Sequence, residues 1–148
     1  MKKFRFRLQV LLKAKEHIER EKQKEHATAL KQVYDQRRRQ GEVSRHKLDT
    51  IDRQRHRLSD RLSVAGMLIH ARYVNKLKRD LLAGDELLRA FQKMAGEKHQ
   101  ALLKASKERK VFEKLRDRRR RHFDEKVRML TTKENDEIAI NSFRLKEG

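Results

Sequence analysis

The sequence predicts an all-α fold, a long antiparallel two-helix coiled-coil hairpin. Ala, Glu, Lys, Leu and Arg fill 83 of the 148 positions, the composition of a coiled coil or long helix. There is no proline, so no position forbids a continuous helix. Apolar residues recur in two heptad registers that are out of phase with each other, as a chain that doubles back requires. With 43% charged and 36% hydrophobic residues the chain cannot wrap a thick core, but a two-helix seam asks for only about two apolar positions in seven.

Helix one is expected over about residues 4–62. Its clearest register is Leu48, Ile51, Arg55, Leu58, Leu62, Ala65 and Ile69, spaced alternately by 3 and 4. Upstream, Leu8, Leu11, Leu12, Ile18, Leu30, Val33 and Tyr34 keep a looser helical spacing. Arg37–Arg39 and Gly41 interrupt it, which predicts a stutter near Gly41.

The bend is expected at about residues 63–69. Stepping on from Ile69 reaches Arg72, whereas the next register starts on Val74, and Gly66 sits within the slip. Gly84, with Asp85 as an N-cap, is a rival turn. It is set aside because the second register runs through it, and a helical glycine costs only about 1 kcal/mol.

Helix two is expected over about residues 68–143. Val74, Leu77, Leu81, Gly84, Leu88, Phe91, Ala95, Lys98, Leu102, Ala105, Arg109, Phe112, Arg116, Arg119, Phe123, Lys126 and Leu130 hold the 3, 4 alternation throughout. Val127 stands beside Lys126 as a substitute seam residue. Helix two is the longer, so its C-terminal end should project beyond the start of helix one. Residues 135–148 are less periodic and are expected to fray. The whole chain, 1–148, reads as a single coiled-coil domain.

The sequence offers little chemistry. There is no cysteine, which removes disulfides and thiolate metal sites. Seven histidines are present, none three or four residues from another, so no helical metal site is expected. No phosphate-binding glycine loop or nucleophile elbow occurs. Two long helices enclose no pocket for a reaction. A non-enzymatic chain without cofactors follows. No run approaches the roughly 18 apolar residues of a membrane span, and the start carries no secretory signal, so a cytoplasmic protein is expected.

The net charge of +19 favours polyanions or an acidic protein surface. Arg37–Arg39 and the run Arg116 to His122 concentrate it. Aromatics are only 5%, and Phe112 and Phe123 fall on the seam, so base stacking is not supported and no nucleic-acid partner is expected. Past the bend, Tyr73, Val74, Leu77, Leu81 and Leu82 form an apolar stripe wider than a two-helix hairpin can bury, which suggests an interface.

Three segments carry a resemblance to a known family. The start Phe4-Arg5-Phe6-Arg7-Leu8-Gln9-Val10-Leu11-Leu12 is similar to an F-x-F-x-L-x-x-L-L opening. The block Lys110 to Arg118 is similar to K-x-x-E-K-L-x-x-R, and Lys133 to Glu137 to K-x-x-D-E. In this order they resemble FliJ, a small cytoplasmic component of the bacterial flagellar type III export apparatus. The resemblance implies an antiparallel hairpin similar to the γ stalk of rotary ATPases. It implies insertion into the ring of the export ATPase FliI, contact with the cytoplasmic domain of the export gate FlhA, and handling of empty export chaperones. Membrane association would then be indirect, through the export apparatus. The family's gate-contacting aromatic and leucine fall on Tyr73 and Leu77; the next positions, Asp80 and Gly84, depart from its pattern. The paired chain ends face the ATPase in the family, which points to Phe4, Phe6, Leu8, Leu11, Arg118, Arg119, Arg120, Arg121, Met129 and Leu130. A basic nucleic-acid-binding coiled coil and the equivalent stalk of an injectisome are the alternatives.

Overall fold

A computed structural model describes residues 3–57 and 63–144. The fold is an all-α helical hairpin of α1 (Gln9–Arg57) and α2 (Val64–Arg144). Two compact units are distinguished, one of Met1–Arg20 with Lys104–Gly148, the other of Glu21–Leu103. Within each, the two helices lie antiparallel.

In the second unit the seam follows two complementary heptad rows. Along α2, His70, Val74, Leu77, Leu81, Gly84, Leu88, Phe91, Ala95, Lys98 and Leu102 are all buried or half-buried, as the second register requires. Along α1 the facing row is Lys22, His26, Ala29, Val33, Gln36, Gln40, Val43, Lys47, Thr50 and Gln54. Only three of these are apolar. Ala29, Val33 and Ala95 form the centre, with Leu88 and Phe91 packed against it. Two alanines there let the helices approach closely, and the larger side chains above and below close the gap.

The α1 row corrects the expected register of helix one. Leu48 is 56% exposed and Ile69 68%, so neither lies on the seam. Leu58 and Leu62 of that register fall outside the described residues. The stutter near Gly41 is absent, because α1 continues through it and the row keeps its alternation. The seam residues of α1 are mostly long polar side chains, whose stems cover apolar surface while their heads find partners. A search for apolar spacing passes over them.

Gln36 and Gln40, one helical turn apart, show how the polar row is satisfied. Gln36 Nε2 donates to the Gly84 carbonyl at 3.2 Å. Gln40 Nε2 donates to the Leu81 carbonyl at 2.9 Å and to Asp85 Oδ1 at 3.0 Å. Gly84 is helical, not a turn, and its missing side chain makes room: a Cβ there would stand 2.6 Å from Gln40 Cδ.

The helix ends also differ from expectation. α2 begins at Val64, about four residues early, because Ser63 caps it. The Gly66 amide donates to Ser63 Oγ at 3.1 Å, and the Met67 amide to the Ser63 carbonyl at 3.2 Å. Residues 64–69 are therefore helix rather than bend. Residues 135–144 remain helical instead of fraying.

In the first unit α1 starts at Gln9, not Phe4. Phe4 packs on Phe123 with ring centroids 5.7 Å apart, and the Arg119 guanidinium lies 5.9 Å from the centroid of the buried Phe6 ring. Residues two apart share a face only in extended backbone; a helix would turn them away from each other. Leu12 is fully buried, and Glu19 and Ala105 are also buried in this unit. From Arg128 to Phe143 every residue is exposed.

Candidate functional site

In the second unit, the two expected gate positions, both on α2, behave differently. Leu77 is 6% exposed and belongs to the seam. Tyr73 is 40% exposed, and its hydroxyl lies 2.7 Å from His46 Nε2. The two rings meet edge to face, 86° apart. Beside them His70 Nε2 lies 3.0 Å from the Thr50 carbonyl, an arrangement in which the imidazole donates. Leu82 is exposed, so the apolar stripe past the bend divides into a buried seam and an outer face. Val64, Met67 and Leu68, all exposed, extend the Leu82 face toward the start of α2, and the exposed Ile69 stands on the Tyr73 side. Spacing from Leu48 puts Ile69 on the seam; the second register stepped back by four from Val74 reaches the half-buried His70 instead, and that is the signal that excludes Ile69.

The residues expected to face an ATPase also divide within the first unit. Phe6 is buried and Phe4 and Leu8 are half-buried, so these three serve the packing of the chain start on α2. Leu11 is exposed, as are Arg118, Arg119, Arg120, Arg121, Met129 and Leu130. Arg118, Arg119, Arg121, His122 and Glu125 line a shallow groove on α2. Phe123, Val127 and Leu130 line the next one, toward the helix C-terminus.

Charged groups tie the helices together inside each unit. In the second, Glu25 accepts from Lys22 at 2.8 Å and from Lys98, across the seam, at 2.7 Å. Those two ammonium groups hold its carboxyl well below the usual range, at about 2. Beside this cluster the His26 and His99 rings meet with centroids 5.0 Å apart. These two are far apart in sequence, so the spacing of histidines along the chain gave no sign of the pair. In the first unit Lys15 lies 2.6 Å from Glu108, and its hydrogen bond lowers the Glu108 pKa. Arg109 is shared between Glu19 of α1 and Glu113 of α2. Burial alone would lower the Arg109 pKa, but its two carboxylate partners outweigh that and raise it.

Among the described residues, no group of three or more His, Cys, Asp or Glu side chains is placed to hold a metal ion. No helix among them is long and apolar enough to cross a membrane. The arrangement is one of surfaces: an aromatic and imidazole pair on one unit, an arginine row and an exposed helical end on the other.

The family model described as Flagellar FliJ protein matches residues 4–148. The chain belongs to the FliJ family. A FliJ protein is a component of the flagellar export apparatus, and the match covers both units, including the extended opening and the exposed end of α2. Neither the curated proteins nor the solved structures compared with the chain include a match.

Proposed function

We propose that this FliJ protein is the central stalk of the FliI export ATPase ring, couples that ring to the cytoplasmic domain of FlhA, and escorts export chaperones. In this reading it hydrolyses no ATP itself. It works in the cytoplasm, peripheral to the inner membrane through the export apparatus. The observation that carries the reading is the family match along the chain, joined to an α2 end that continues past the Phe4–Phe123 contact. Four consecutive exposed arginines just before that contact, followed by an uncovered helical end, suit a pore lined with acidic groups, where attraction without fixed contacts leaves the stalk free to turn. Arg118, Arg119, Arg120, Arg121, Leu11, Met129 and Leu130 would meet the ring directly. Phe4, Phe6 and Leu8 would act through the packing that holds the chain start in place. Tyr73 would meet the gate, and Leu77 would support it from within.

The test is ATP hydrolysis by purified FliI with and without this protein, alongside ring assembly by light scattering. Stimulated turnover and larger assemblies are expected, both reduced when Arg118–Arg121 are changed to Ala. Unchanged rate and oligomer size with the wild-type chain would reject the stalk role.

A further inference from the structure

We infer that the groove beside Tyr73 receives an acidic peptide segment of the partner that docks there, which deepens the gate-contact reading and rests on it. The groove holds about 380 Å³ and is lined by His46, Thr50, Arg53, Gln54, Arg57, Gly66, His70 and Tyr73. On α1, His46, Thr50, Arg53 and Arg57 follow one another by 4, 3 and 4, so they form a single row. Gly66, His70 and Tyr73 of α2 stand opposite. Gly66 contributes no side chain, which keeps the floor open at its end.

None of the described residues lining the groove carries a carboxylate. Its polar side chains are dominated by donors. Arg53 and Arg57 offer guanidinium groups, whose fork matches a carboxylate in two parallel bonds. The Tyr73 hydroxyl has one proton and two lone pairs, and one of those sites is taken by His46 Nε2. When His46 donates to it, the phenolic proton is left to point into the groove. Arg53 already holds Asp49 at 2.6 Å, but both side chains are largely exposed. An exposed pair of this kind is weak, so an incoming carboxylate can share or replace Asp49. Next to the groove, the exposed Ile69, four residues before Tyr73 on the same side of α2, offers apolar surface to residues flanking the acidic ones. Donor-rich lining, a positive row and an apolar shoulder together fit a carboxylate-bearing segment and disfavour a basic one.

The experiment has two arms, both on the full chain. First, a short oligoglutamate peptide is titrated while the His46, His70 and Tyr73 side-chain signals are followed by NMR. Second, binding to the purified FlhA cytoplasmic domain is measured for wild type, Tyr73→Ala, Arg53→Gln/Arg57→Gln and the control Arg37→Gln/Arg38→Gln. Both arginine pairs remove the same charge from exposed positions of α1, so a general effect of net charge is common to them. Loss of the groove pair should weaken both ligands by about tenfold or more, the scale of lost charge-assisted bonds, and the control should change little. Equal losses in the two pairs, or peptide shifts spread along the helices, would overturn the inference. Gate binding that fails in Tyr73→Ala yet survives in Arg53→Gln/Arg57→Gln overturns the acidic groove and leaves the gate contact standing. Oligoglutamate seated in the groove without gate binding rejects the gate contact and supports the groove.

Discussion

The Gln40 side-chain amide occupies the space that a β-carbon on Gly84 would need. The glycine is thus matched to a partner on the other helix, and the two positions should be energetically coupled. Ala is favoured over Gly in a helix by about 1 kcal/mol. Gly84→Ala should nevertheless give no net gain, because Gln40 must swing away from the Leu81 carbonyl and Asp85. With Gln40→Ala already present, Gly84→Ala should stabilise by about 1 kcal/mol. Urea unfolding of the four variants of this cycle measures the coupling; additive changes would remove it.

Leu11 and Leu12 are adjacent, and their fates differ. Leu12 is 0% exposed and Leu11 47%. Leu12→Ala should cost about 2–4 kcal/mol, the range for a buried leucine. Leu11→Ala should cost under about 1 kcal/mol and should lower FliI stimulation if that face meets the ring. Thermal unfolding and the ATPase assay together check the split.

Tyr73 and Leu77 call for different substitutions. Leu77→Ala should destabilise the second unit by about 2–4 kcal/mol, so a loss of FlhA binding in it would mix folding with contact. Tyr73→Phe keeps the ring and removes only the bond to His46, with a stability loss of about 1 kcal/mol or less. Binding that weakens in Tyr73→Phe while helicity by circular dichroism is unchanged would assign the hydroxyl itself to recognition.

The Glu25 cluster predicts an acid-sensitive contribution. The folded-state pKa, about 2, lies below the ordinary carboxyl value of 4.5. A depressed carboxyl pKa stabilises the fold above the unfolded value and loses that effect as pH falls toward the folded one. Wild type should therefore exceed Glu25→Gln in stability at neutral pH, and the difference should vanish between pH 4.5 and about 2. The pair is exposed, so the difference will be small and will shrink with added salt. A gap that stays constant through this range would exclude the lysine contacts as its cause.

Most of α2 was legible from its sequence, because its seam residues from Val74 to Phe112 are largely aliphatic or aromatic and the alternation is unbroken. α1 was not. Its seam carries Lys22, His26, Gln36, Gln40 and Lys47, while Leu30, Tyr34 and Leu48 are exposed. Around Leu48 apolar spacing follows the wrong face, while Leu12 and Val33 of the upstream spacing are core residues. The start of α2 was misplaced because the phase slip drew attention to Gly66, whereas the decisive residue was the Ser63 cap. Phe4 and Phe6 were placed on a helix although their separation of two suits extended chain. Leu77 lies on the seam, as its place in the second register requires, whereas Tyr73 lies toward the rim; the family resemblance pairs the two without that distinction.

The glutamines of α1 also fix how the helices of the second unit are aligned. Sliding one past the other by seven residues would keep leucines and alanines near one another. It would move Gln40 from the notch at Gly84 to a position where a side chain obstructs it. Both amides would then be stranded between helices without their carbonyls. Aliphatic seams tolerate such slippage, but this one has a key cut for a single lock, so the distance between any two points on the unit is set as on a ruler.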